Sequence, residues 1–342
     1  MRPTPSSSRS APRRTRRNAG VTLIELIVVI TITGIIAVVM GSFILRPIQG
    51  YQDQVRRAEL VDAAELALRR TALEIRQALP NSVRIRDALG GTGDVTCIAA
   101  GQTCTIEILR TLDGARYREG PGTLPGGGHP HGDPEFRLSF NGPDTDGFNI
   151  VGFFENFQPP LPFTSAAGNL GQRLAIYNQG AVPAVPCIGT AADAYSDANC
   201  PAGSRVVMTN PNVVRFTINN DPGNDEIQIV PVPLVPGFNF RWASPNQRVF
   251  IVDTPVSFVC TAGANGNITR YSDYPITAAQ QVAPAGAANV DLVSRPVTAC
   301  RFSYAAGTNQ RAGLVTLEIT VSDAASGEQV RLLHQVHVDN AP

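Results

Sequence analysis

The sequence predicts an α+β protein: a long N-terminal helix, half apolar and half amphipathic, packed on an antiparallel, β-rich C-terminal head. Three observations carry this. A long apolar run lies near the N-terminus, a helical stripe follows it, and short segments of alternating hydrophobicity fill the rest. The charges divide the chain in the same way. All 28 basic residues are Arg, and 28 Asp and Glu balance them to a net charge of zero. Yet residues 1–20 carry six Arg and no acid, residues 21–80 carry six of each, and residues 81–342 carry 16 Arg against 22 acids. A basic start, a neutral stem and an acidic body face different surroundings. Gly and Pro supply 49 of the last 262 residues, which is loop-rich but below the roughly 25–30% that marks disorder. Collagen, a coiled coil, a polytopic membrane protein and a basic nucleic-acid binder are excluded, and no nucleic-acid partner is expected.

The apolar run is VTLIELIVVITITGIIAVVMGSFIL, Val21–Leu45, whose only charge is Glu25. Leu26–Leu45 is free of charge and, at about 1.5 Å per residue, reaches roughly 30 Å, the thickness of a bilayer core. Arg13, Arg14, Arg16 and Arg17 stand just before it, so the positive-inside rule keeps residues 1–20 in the cytoplasm and sends everything after Leu45 across the membrane. An ordinary signal anchor or a cleaved signal peptide would explain the apolarity but not Glu25. A carboxylate in hydrocarbon costs several kcal/mol and persists only with a partner or a task.

Past Pro47, Val61, Ala64, Leu68, Ala72, Ile75 and Leu79 recur at steps of three and four, one face of an α-helix that Pro80 stops. Pro47 is expected to bend or break the helix just beyond the membrane.

The body reads as short antiparallel strands. Thr105–Leu112 and Ala115–Glu119 flank Asp113-Gly114, a strong hairpin turn signal. Phe136, Leu138 and Phe140 alternate with polar residues, and Val214, Phe216 and Ile218 lead through a turn at 219–225 into Ile227–Ile229. Near the end, Val315, Leu317, Ile319 and Val321 share one face, and the chain turns at 323–327 and returns as Val330, Leu332, His334, Val336 and Val338. The domain plan is therefore a cytoplasmic basic segment (1–20), a membrane helix (21–45), an amphipathic helix (46–80) and a head (81–342). The size of the head calls for an elaborated sheet or an inserted subdomain, with Gly120–Pro134 as a boundary.

All six Cys lie beyond the membrane run and suit an oxidising compartment. Six allow about 15 pairings; nearest neighbours suggest Cys97–Cys104, Cys187–Cys200 and Cys260–Cys300, with free buried thiols as the alternative. A metal site is not expected, because no Cys-x-x-Cys spacing occurs. On a strand, His334 and His337 project to opposite faces and share no metal. His129, His131 and Asp133 read as a loop before they read as a cation site. Asp144–Gly147 and Asn220–Glu226 have oxygens enough for calcium but read first as turns, so no cofactor is expected. Gly126-Gly127-Gly128 lacks the Lys of a phosphate loop, no nucleophile context is visible, and no enzyme is expected.

Gly20-Val21-Thr22-Leu23-Ile24-Glu25-Leu26 resembles the prepilin signature of type IV pilins and type II secretion pseudopilins. The resemblance implies a pilin-like fold, cleavage by a prepilin peptidase between Gly20 and Val21, N-methylation of Val21, and a filament-assembly role for Glu25, which would pair with the N-terminal amine of a neighbouring subunit. Val21 stands where the family usually has Phe, and Ser42 where it has a helix-kinking Pro. The implied partners are the prepilin peptidase, other major and minor pilins, an inner-membrane assembly platform and membrane lipid. The implied location is the bacterial inner membrane, crossed once with the head in the periplasm, and later the pilus or cell surface. Gly50–Ile85 and Leu332–Pro342 resemble minor pilins of the MSHA (mannose-sensitive haemagglutinin) pilus, O type. The expected function is assembly, at initiation or at the tip, of such a pilus. The alternatives are a minor pseudopilin of type II secretion, a tip adhesin, or a tethered periplasmic enzyme.

Overall fold

The computed structural model describes residues 20–118, 138, 140, 147–152, 154, 163–164, 172–180, 193–197, 200, 207–208, 214–221, 224–231, 240–307, 311–324 and 326–339. The chain divides into two units, Met1–Arg56 and Arg57–Pro342. Helix α1 (Leu23–Ile75) contributes to both, and its assignment runs without a break through Pro47, where the sequence predicts a bend or a stop. It also ends before Pro80. Beyond Ile75 the chain peels away towards a strand, with the N–H of Leu79 donating to Leu109 O and that of Thr111 to Gln77 O.

In the second unit the strands follow as β1 (Arg84–Asp87), β2 (Asp94–Cys97), β3 (Thr103–Tyr117), β4 (Gly147–Val151), β5 (Phe163–Thr164) and β6 (Arg173–Ala175). After the short helix α2 (Ala194–Asp197) come β7 (Val214–Asp221), β8 (Asn224–Pro231), β9 (Arg248–Thr261), β10 (Asn267–Ser272), β11 (Asn289–Ser294), β12 (Val297–Ala305), β13 (Gly313–Ser322) and β14 (Gln329–Val338). Among the described residues they form a ten-stranded sheet along β11-β10-β9-β3-β4-β8-β7-β5, with β1 on β3 and β6 on β9, and a four-stranded sheet β14-β13-β12-β2. Every registered pairing is antiparallel.

The helical stripe is buried as its spacing requires: Ala64, Leu68, Ala72, Ile75 and Leu79 are all nearly inaccessible. The first four join Ile106, Ile108, Val256 and Phe258 of the larger sheet and Phe302, Val315, Leu317 and Ile319 of the smaller one in a single core. The long strands β3 and β9 continue into a second core of Tyr117, Phe148, Ile150, Leu174, Val249 and Ile251. Strands β4, β8, β7 and β5 extend the ladder outward from β3.

Two expectations need correction. Asp113-Gly114 is not a hairpin turn. Strand β3 passes straight through it, paired with β9 from Thr103 to Arg116, with register shifts between Leu109 and Thr111 and between Thr111 and Asp113. Gly114 serves a close approach instead, since a Cβ there would stand 2.9 Å from the Phe250 ring. Nor does the turn after β7 span 219–225. Its ladder reaches Asp221↔Asn224, which makes Asn219, Asn220, Asp225 and Glu226 strand positions. The final hairpin matches its pattern, with Val315 to Val321 facing in and β14 pairing along its whole length.

Candidate processing and assembly site

Gly20, Val21 and Thr22 lie exposed ahead of α1. No atom of the described residues comes within 4 Å of where a Gly20 Cβ would stand, so a larger side chain there meets nothing among them. The helix begins as its sequence directs. Thr22 Oγ1 accepts the N–H of Glu25 at 3.3 Å, and Thr22 O accepts that of Leu26 at 3.1 Å. Thr-x-x-Glu is the pattern of a capping box, and it puts the Glu25 carboxylate in the first turn, at the positive end of the helix dipole. Val21, Leu23 and Ile24 are more than two-thirds exposed. The window Leu23–Gly41 has a mean hydropathy of 2.8 with none of it buried, long and apolar enough to cross a membrane.

Residues 15–41 match the prokaryotic N-terminal methylation motif. The match supports a type IV pilin-like or pseudopilin protein, and with it a structural subunit that meets a prepilin peptidase and other pilins. The apolar helix bearing this motif is consistent with membrane anchoring. No curated protein and no solved structure matches the chain.

In the head, Cys97 is bonded to Cys104 and Cys260 to Cys300, with Cα separations of 6.0 and 6.6 Å. Cys200 is also disulfide-bonded, while Cys187 lies outside the described residues. So do His129, His131 and Asp133, residues 126–128, and residues 144–146 of the first calcium candidate. His334 sits half-buried on the inner face of β14, opposite Leu317, and His337 is exposed on the outer face. Among the described residues, no group of three or more His, Cys, Asp or Glu is placed to hold a metal ion.

Sequence reasoning missed a buried polar cluster on the sheet face away from α1. Glu107 is fully buried on β3, directly opposite Arg84 of β1. Arg84 donates to Glu107 Oε1 at 2.8 Å and to the carbonyls of Thr277 and Ala278 at 2.8 and 2.7 Å. Its guanidinium lies 3.5 Å from the centre of the Tyr195 ring. Tyr195 in turn donates to Ser82 O at 3.0 Å, and Tyr274 shares a 2.6 Å hydrogen bond with Ser257. Burial raises the Glu107 carboxyl above its ordinary value, against the pull of Arg84. Burial, and then the Glu107 charge, raise both tyrosines. The cluster fastens α2 and the segment after β10 onto the sheet. Only a Glu inside an otherwise strand-like run, EIL after Thr105-Ile106, signalled it.

Proposed function

We propose that this chain is a non-enzymatic minor pilin that takes part in assembling a type IV pilus of the MSHA kind, at initiation or at the tip. The observation that carries the reading is Glu25, capped onto Thr22 at the head of an exposed apolar helix whose start matches the methylation motif. A carboxylate there is costly in lipid unless a charge meets it. The amine freed by cleavage between Gly20 and Val21, and methylated on Val21, supplies that charge from a neighbouring subunit. The head then stands in the periplasm, where the cysteine bridges persist, and reaches the cell surface within the filament. The resemblance of Gly50–Ile85 to O-type minor pilins favours the MSHA system over type II secretion.

The test is mass spectrometry of the N-terminus in membrane fractions, for the wild type and for Gly20→Phe. The expected result is a methylated Val21 start that Gly20→Phe abolishes; a start at Met1 or beyond Leu45 overturns the proposal. Pilus display compared with enzyme secretion in a deletion strain then separates the two systems.

A further inference from the structure

We propose that the cavity beside Cys97 is a thiol-exchange site, and that the two disulfides behind it act as one exchange unit. Cys97 and Cys300 are ladder partners in the four-stranded sheet. Cys104 and Cys260 are ladder partners in the ten-stranded sheet. The bridges Cys97–Cys104 and Cys260–Cys300 run between the sheets. Each sulfur therefore has two neighbours, one bonded to it and one across its own ladder. Directly opposed residues place their Cβ atoms about 4.5–5.5 Å apart on one face, and a disulfide spans about 3.5–4.5 Å. A small displacement brings each sulfur to its second partner.

Of the four, only Cys97 lines the cavity of about 260 Å³ formed with Asp87, Leu89, Thr96, Ala100 and Gln102. Two self-braced loops frame it. Asp87 Oδ1 accepts the N–H groups of Leu89 and Gly91 at 2.9 and 2.6 Å, and Gln102 Oε1 accepts those of Ile98 and Ala99 at 3.0 and 2.9 Å. Leu89, which lines the cavity, is 83% exposed, an apolar flank for a small or extended thiol carrier.

A thiolate entering here attacks Cys97 Sγ, forms a mixed disulfide and expels Cys104 as thiolate. Cys104 attacks Cys260 across its ladder, forming Cys104–Cys260 and expelling Cys300. Cys300 attacks Cys97, forms Cys97–Cys300 and returns the incoming thiolate. No net electron transfer occurs, and the thiol acts as catalyst. The product has one bridge within each sheet and none between them.

The probe is reduced glutathione at about pH 8, where thiolate is available, added to the detergent-solubilised full chain under native conditions. Acid quenching, alkylation and non-reducing peptide mapping follow. Glutathione is expected first on Cys97, followed by Cys97–Cys300 and Cys104–Cys260 peptides in equal yield. Ala100→Trp, which fills the cavity, slows this at least about tenfold at unchanged Tm because exchange depends on access. Should that variant not fold, Leu89→Glu slows the reaction about threefold and Leu89→Arg speeds it equally, by repelling or attracting the thiolate. Glutathione first on Cys260 or Cys300 overturns the proposal. So does exchange that only follows global unfolding and ignores these substitutions, or a mixed disulfide that resolves solely to the original pairs.

Discussion

The hydroxyl of Thr22 accepts the backbone N–H of Glu25 at 3.3 Å, so the helix cap and the only carboxylate of the apolar run belong to one turn. The proposed function gives the two residues different tasks, and variants separate them. Thr22→Ala removes a cap worth about 1 kcal/mol, which lowers filament-associated protein by about fivefold at most. Glu25→Val inserts at least as well, since it removes a charge from the membrane run, and is still cleaved. On the proposed pairing it leaves a neighbour's amine without its partner at a cost of about 3–5 kcal/mol, and the filament fraction is expected to fall by more than about a hundredfold. Quantifying membrane-bound mature protein beside pilus-associated protein decides; equal effects of the two substitutions would end the pairing.

The two described bridges should differ in weight. Cys260–Cys300 joins residues 40 apart in sequence and Cys97–Cys104 residues seven apart. Loop-closure entropy assigns them about 4 and about 2.5 kcal/mol. Urea unfolding of Cys260→Ala/Cys300→Ala and of Cys97→Ala/Cys104→Ala should rank them in that order; the reverse ranking would refute the entropic account.

Glu107 predicts a pH dependence with a definite sign. Burial raises its native carboxyl above the ordinary 4.5, so the folded chain binds its proton more tightly than the unfolded chain does. That contribution is fully present below about 4.5 and is lost as pH rises through the raised native value. Wild type should therefore lose stability relative to Glu107→Gln as pH climbs from the acid side towards neutrality. Melting curves of both proteins across that range provide the check, and a gap that widens in favour of wild type contradicts it.

Gly114 tests the corrected reading of β3. Gly114→Val drives a side chain into the Phe250 ring, 2.9 Å from the first added carbon, and should cost about 1–3 kcal/mol. Phe250→Ala in the same chain should recover part of that loss in a double-mutant cycle. At a true turn, with no cross-strand neighbour, the two changes would simply add.

Local chemistry made the N-terminal helix legible. The length of the apolar run, Thr22 three residues before Glu25, and the spacing of Ala64, Leu68, Ala72 and Ile75 each report on a neighbour within a turn or two of helix. The strands at 315–321 and 330–338 were legible for a similar reason: one face is buried and the other is not, so hydrophobicity alternates. Strand β9 hid because it runs through the middle of the larger sheet, where consecutive residues Val256–Cys260 are all buried and no alternation appears. Pro255 pairs with Leu109 at a register shift, where a missing N–H is tolerated. Asp113-Gly114 has the residues of a turn and became part of a long strand because β9 offers partners on both sides of it. The opposition of Glu107 to Arg84, and the meeting of four cysteines from β2, β3, β9 and β12, depend on pairing partners up to 203 residues apart. The sequence by itself determined the apolar helix, its cap and the buried stripe, since those follow from periods of a few residues. Only the tertiary structure decided the sheet order, the polar cluster and the geometry of the sulfurs, because long-range pairing brings together residues that no local pattern relates.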